Sequence, residues 1–276
     1  MGVYKAITIL WISCIVLCGC GSQPKEYVEG LTLAQENVYF FEDGTTVDLW
    51  RMESIGRDVY MLSDGTILLK VSDYIPPIEL GADGVKIYSS LDLSENVQEA
   101  VLVYFEKQGL LYDVQSELEK AYTYYLSCKQ EGIEFNSFYV SQESSFSWEN
   151  SNIVCFDTTV IRVRENREAQ DIELSDIFDK RTGARLDIWD LFQYPQSESK
   201  KRLMDAMKVD DKILLTEMEK ALEDEFIHPS SRGLVITFPQ GTLTSLDASF
   251  NIEIAYDDLR GILHSWAIPY PKDKFK

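Results

Sequence analysis

The chain has 276 residues, with 26 Lys and Arg against 46 Asp and Glu, a formal charge of −20, and 45% apolar and 12% aromatic content. That content of core-forming residues excludes a disordered acidic tail, and 15 Gly and 8 Pro exclude a collagen-like chain. The acidic balance excludes nucleic acid as a partner, because phosphate binding needs a concentrated positive surface.

The first twenty residues read as a targeting segment. Lys5 supplies a positive start, an apolar run extends from Ala6 to Leu17, and Leu17-Cys18-Gly19-Cys20 closes it. The run is shorter than the ~20 residues that a membrane-spanning helix needs, and its layout is that of a secretory signal. With Cys at the first mature position, it resembles a bacterial lipoprotein signal. That resemblance implies a signal peptide over 1–19, diacylglycerol on the Cys20 thiol, and a mature protein held by lipid on the outer face of the cell membrane. Residues 20–33, small and polar around Gly21-Ser22-Gln23-Pro24, read as a tether. Loss of Lys5 with the signal leaves 25 − 46 = −21. Such a field attracts a cationic partner, while simple solubility is the other reading.

Residues 34–80 predict a small β-meander. Asn37–Phe41 and Thr46–Trp50 flank Asp43-Gly44, and Val59–Leu62 and Ile67–Val71 flank Asp64-Gly65. Asp-Gly between apolar runs is a strong hairpin signal. Gly81–Gly84 reads as a linker. Residues 85–170 predict a helix pair followed by antiparallel strands. Ser94 is placed to cap a first helix whose Val97, Ala100, Val101, Tyr104 and Phe105 share one face and which ends at Gly109. A second helix carries Val114, Leu118, Ala121, Tyr122, Tyr125 and Leu126, with its tyrosines read as core, and stops near Gly132. Strands follow at 138–141, at 145–148 and from Ile153 to Arg164. Residues 171–265 predict a second α+β half: a strand at 173–179, a turn over Lys180–Gly183, a return strand and short helix over 186–192, helices at 197–208 and 211–226, strands at 233–238 and 249–255, and a short helix at 256–263. Residues 266–276 form a C-terminal tail. The irregular alternation favours α+β, with antiparallel sheet packed on a few helices.

Candidate chemistry is sparse. His228 and His264 lack ligand spacing, and His228 is placed at a helix end, where a cation complements the dipole. Ser197 and Lys200 match the Ser-x-x-Lys spacing of penicillin-binding enzymes, but no Lys-Thr-Gly follows and Ser197 is read as a helix cap. Arg162, Arg164 and Arg167, interleaved with Glu165 and Glu168, read as a charged hairpin in water or as an anion patch. Cys128 and Cys155 are the two thiols left after the signal and the lipidated Cys20, and they read equally as a disulfide or as two buried free thiols. No catalytic residue, metal or cofactor is expected.

Residues 85–265 also resemble the extracytoplasmic module, a domain of unknown function, shared by the lysozyme-sensing anti-sigma factor of Gram-positive bacteria and by membrane-anchored peptidoglycan deacetylases. The resemblance rests on Asn96–Ala100, Ala121–Tyr125, Asn152–Phe156 and the tail strands. It rests above all on Phe178-Asp179-Lys180-Arg181-Thr182-Gly183-Ala184-Arg185-Leu186 running into Trp189-Asp190-Leu191-Phe192. The family's Gly-Gly-Ala-His-like turn is replaced by Arg162–Gln170, and neither the sigma-binding region nor the deacetylase catalytic domain is present. The resemblance implies a non-catalytic binding or sensor-like module for a cationic protein such as lysozyme or for cell-wall material. The alternatives are a wall-directed hydrolase using unrecognised carboxylates, or a structural subunit of an envelope complex.

Overall fold

The computed structural model describes residues 30–77, 79–81, 84–86, 91–165 and 170–269. The expected signal peptide, the Cys20 anchor, most of the tether, Arg167 and most of the tail lie outside them. The fold is α+β, as expected.

Four strands form the meander: β1 (Thr32–Phe40), β2 (Thr46–Met52), β3 (Arg57–Leu62) and β4 (Ile67–Ser72). Both Asp-Gly turns form, with Gly44 and Gly65 at positive φ and Asp43 and Asp64 each accepting a backbone N–H two residues on. On either side of the stretch read as a linker, β5 (Glu79–Gly81) and β6 (Gly84–Lys86) pair antiparallel. The helices are α1 (Glu95–Gln108) and α2 (Val114–Glu131). Ser94 holds the cap position of α1 without a side-chain bond, whereas Asp113 caps α2 by accepting from Ser116 N–H, and Gly132 ends it in the left-handed conformation.

Next come β7 (Phe138–Glu149), β8 (Ile153–Val163), β9 (Gln170–Asp179) and β10 (Arg185–Leu186). The two strands expected at 138–141 and 145–148 are one, β7, because Gln142 to Ser145 keep the ladder with β8. Eight strands form a single sheet in the order β1-β2-β3-β4-β7-β8-β9-β10. The meander runs directly into it, with Leu69, Lys70 and Val71 pairing in parallel with Phe138, Tyr139 and Val140; the other pairings are antiparallel. The C-terminal part holds α3 (Gln196–Ala206), α4 (Lys212–Ala221) and a second sheet of β11 (Ile227–Pro229), β12 (Gly233–Phe238) and β13 (Phe250–Ala255). The helix expected to reach 226 stops at Ala221, and β11 takes His228 into a strand rather than a helix end. Residues 256–263 form turns rather than a helix.

Period-two alternation sorts β8 onto two faces. Val154 and Phe156 meet Val97, Val101 and Phe105 of α1, while Val160 meets Leu118, Ala121 and Tyr122 of α2. Ile153 and Cys155 point the other way, into the core with α3, α4 and the second sheet. A bulge between Phe146 and Trp148 reverses the parity of β7, so Phe146 serves the α1 side and Trp148 the opposite core.

The Asp179–Gly183 turn, the centre of the family-like block, explains how α1 docks. Asp179 Oδ1 accepts from the backbone N–H groups of Arg181 and Thr182 at 2.8 Å each and from the Thr182 hydroxyl. Gly183 then turns at φ +72° against α1. A Cβ there would lie 2.7 Å from the Ala100 Cβ and 3.3 Å from the Val97 Cα. The block is therefore a packing device.

Candidate functional site

On the face away from α1 and α2, the sheet is covered at both ends. The C-terminal core covers Trp148, Cys155 and Ile177, and a small cluster of Leu31, Trp50, Val59 and Met61 closes the meander end. Between them lies an open cleft of about 480 Å³, lined chiefly by Ile55, Ile75, Tyr139, Glu143 and Ile161.

Its shape follows from the chain path. After Ser72, which still pairs with Arg57, residues 73–74 leave the strand, and Asp73 N–H donates to Gly56 O at 2.8 Å. The chain returns at Ile75, whose N–H donates to Gln142 O and whose carbonyl accepts from Ser144 N–H. Ile55, Ile75 and Ile161 remain 53%, 54% and 37% exposed. Large apolar side chains converging in water mark an interaction surface more than scattered ones do. Glu143, bridged to Ile75, stands exposed in a cross-strand row with Thr159 and the exposed Glu173.

The cations beside the cleft are engaged. Arg51 donates to Asp58 at 2.9 Å and makes a two-pronged contact with Asp73, which holds the Asp73 carboxyl below its ordinary range. Arg57 lies 5.0 Å above the Tyr139 ring. Burial raises the Tyr139 phenol, but bonds from Ser141 and Ser72 and the Arg57 charge outweigh it, and the net shift is downward.

One row toward the C-terminal core, Asp157, Ser175 and His228 meet. Ser175 Oγ donates to Asp157 Oδ1 at 2.5 Å and lies 3.2 Å from His228 Nδ1. A serine has one proton to give, so with that proton on Asp157 the imidazole must donate to Ser175 and hold its own proton on Nδ1. The imidazole is then no base toward this serine, and the order Asp–Ser–His is not that of a nucleophilic triad. His228 is only 6% exposed, and burial lowers its pKa while Asp157 partly opposes. The group joins β8, β9 and β11 and is read as structural.

Two further polar clusters lie under the helices. Glu117 of α2, 4% exposed, receives Arg164 through a forked contact, with Nε donating to Oε2 at 2.9 Å. Arg162 Nε stands 3.5 Å away and Lys120 3.6 Å away. This corrects the expectation for the arginines: Arg162 and Arg164 are neither an exposed hairpin nor an anion patch, because Arg162 near the end of β8 and Arg164 just beyond it turn to Glu117 of α2. Asp176 accepts from Tyr104 at 2.6 Å, Arg185 at 2.8 Å and Gln108 at 3.2 Å, which ties β9 to α1. Ser197 is also not the expected cap. Pro195 holds that position, and Lys200 turns to Leu222 O and Asp224.

Cys128 and Cys155 are free, buried thiols. Cys128 belongs to α2 on one side of the sheet and Cys155 points to the opposite core, so the sheet separates them, and burial raises the Cys155 thiol well above its ordinary value. Among the described residues, no helix is long and apolar enough to cross a membrane, and no group of three or more acidic, His or Cys side chains is placed to hold a metal ion. The signal missed by sequence reading was the Ile55–Ile75–Ile161 convergence. Those residues are 20 and 86 positions apart, and only the sheet order brings them together.

No family model matches the chain, and no curated protein matches it. Among solved structures it is similar to a DUF3298 family protein from Pseudomonas aeruginosa PAO1, with a TM-score of 0.41 at 14% identity over 73% of this chain and 87% of that one. It is also similar to a member of the DUF3298 family from Bacteroides fragilis NCTC 9343, with a TM-score of 0.47 at 12% identity over 80% of this chain and 94% of that one. These structural neighbours come from a domain family of unknown function.

Proposed function

We propose that this chain is a lipid-anchored, extracytoplasmic, non-catalytic module that binds a partner outside the membrane, either a cationic protein such as lysozyme or cell-wall material. The observation that carries the reading is the cleft on the open sheet face, with three exposed isoleucines beside exposed Glu143 and Glu173. The lipoprotein-like start, the mature charge of −21 and the resemblance to the extracytoplasmic module of the lysozyme-sensing anti-sigma factor and the deacetylases support it. A charge of this sign raises the encounter rate with a basic protein and repels anionic wall polymers, so the cationic partner is favoured over the wall. Immobilised full-length protein should retain lysozyme at about 20 mM salt and release it near 500 mM, as screening shortens the reach of the field. Absence of retention at low salt rejects lysozyme as partner, and retention of peptidoglycan fragments in its place supports the wall version. Labelling of the membrane fraction with a fatty-acid probe, abolished by Cys20→Ala, tests the anchor.

A further inference from the structure

We infer that the open-face cleft is a peptide-binding site for a basic segment carrying one bulky apolar side chain, with the apolar side chain seated among Ile55, Ile75 and Ile161 and a flanking Lys or Arg directed to Glu143. This inference rests on the binding-module reading and deepens it by placing the site and stating what it takes.

The polarity of the cleft sets the class of ligand. Its lining includes the carboxylates of Asp73 and Glu143 and no Lys or Arg. Asp73 is held by Arg51 and contributes little free charge. Glu143 is exposed and lies beside Ile75, with Glu173 in the same row across Thr159. On the meander side, Arg57 covers the Tyr139 ring, and Lys70 pairs with Tyr139 in the ladder. The acidic side of the cleft therefore lies toward β8 and β9, while toward β3 and β4 Arg51 is offset by Asp58 and Asp73. A ligand cation is drawn to the Glu143 side, which gives the bound segment a direction. A purely cationic ligand would leave the isoleucines wet, and a purely apolar one would leave Glu143 unused.

The backbone supports peptide length rather than a flat protein surface. Ile75 and Ile161 flank β7 on its two sides, about two strand spacings or roughly 10 Å apart. One large side chain fills that gap, and its neighbours in sequence reach the rim.

The test uses full-length protein and three labelled pentapeptides, Gly-Lys-Leu-Lys-Gly, Gly-Lys-Ser-Lys-Gly and Gly-Glu-Leu-Glu-Gly, titrated at low salt by NMR chemical shift. The Lys-Leu-Lys peptide should bind about tenfold more tightly than either counterpart. Ile161→Ser and Glu143→Gln, both at exposed positions, should each weaken it about fivefold or more with the melting temperature unchanged. Equal binding of the Lys-Ser-Lys peptide, indifference to both substitutions, or no binding overturns the inference. Lysozyme capture by the same variants separates the two levels. Capture that survives in both variants leaves the binding-module reading standing and removes the cleft as its site. Capture lost in both supports the two together.

Discussion

The two faces of the eight-stranded sheet treat charge in opposite ways. Beneath α1 and α2, Glu117 and Asp176 are buried and each is surrounded by cations or donors, with Arg162, Arg164 and Lys120 about one and Tyr104, Arg185 and Gln108 about the other. On the opposite face, the exposed Glu143 lines the cleft with the exposed Ile55, Ile75 and Ile161. The first arrangement answers the cost of burying a charge, which must be paired or left to destabilise the fold. An exposed carboxylate such as Glu143 is under no such constraint. Acidity alone therefore does not locate function in this protein, and the useful distinction is which carboxylates the fold already satisfies.

That contrast orders the expected effects of substitution. The largest belongs to Glu117→Ala, which strands Arg162 under α2 and should destabilise the protein by about 3 kcal/mol in urea unfolding. A loss under 1 kcal/mol would mean that solvent reaches the cluster. Gly183→Ala comes next. It forces a Cβ into a left-handed turn and against Ala100, and about 2 kcal/mol should be lost, with α1 contacts affected first in hydrogen exchange.

His228 gives a smaller, pH-dependent term. Its folded pKa lies below the ordinary 6.5, so the unfolded chain takes up the proton first. Its contribution is complete above about pH 7 and declines as the pH falls through and below 6.5, with a slope of at most about 1.4 kcal/mol per pH unit. Unfolding free energies across pH 7.5 to 5 should show a slope that shrinks in His228→Gln, and an unchanged slope would place the titration elsewhere. The smallest stability effect belongs to the open face. Ile161→Ser and Glu143→Gln should change stability by no more than about 0.5 kcal/mol while weakening partner capture, the reverse of the Glu117 pattern.

Much of the fold was legible in local pattern. The Asp-Gly hairpins, the apolar faces of α1 and α2 and the long β8 follow from positive-φ turn chemistry and from periods of 3.6 and 2. What failed depended on pairing between distant segments. A continuous β7 was hidden because Gln142 and Ser144 interrupt the apolar pattern; Gln142 is satisfied by Gly109 O and Leu111 N–H, and Ser144 by Thr158. The strand around His228 was hidden because Ile227–Pro229 is too short to show a period and gains its order from β12. The pairing of Arg162 and Arg164 with Glu117 was invisible because that partner lies on α2, more than forty residues earlier. The cleft was invisible for the same reason, since its isoleucines come from three separate segments.

If the open sheet face is the binding face, a bound partner must shield its carboxylates. Carboxylate footprinting of the full-length protein with and without lysozyme at low salt tests it most directly, with Glu219 on α4 as an exposed reference. Modification of Glu143 and Glu173 should fall on complex formation while that of Glu219 stays unchanged. A complex that forms with Glu143 and Glu173 still fully modified would contradict it.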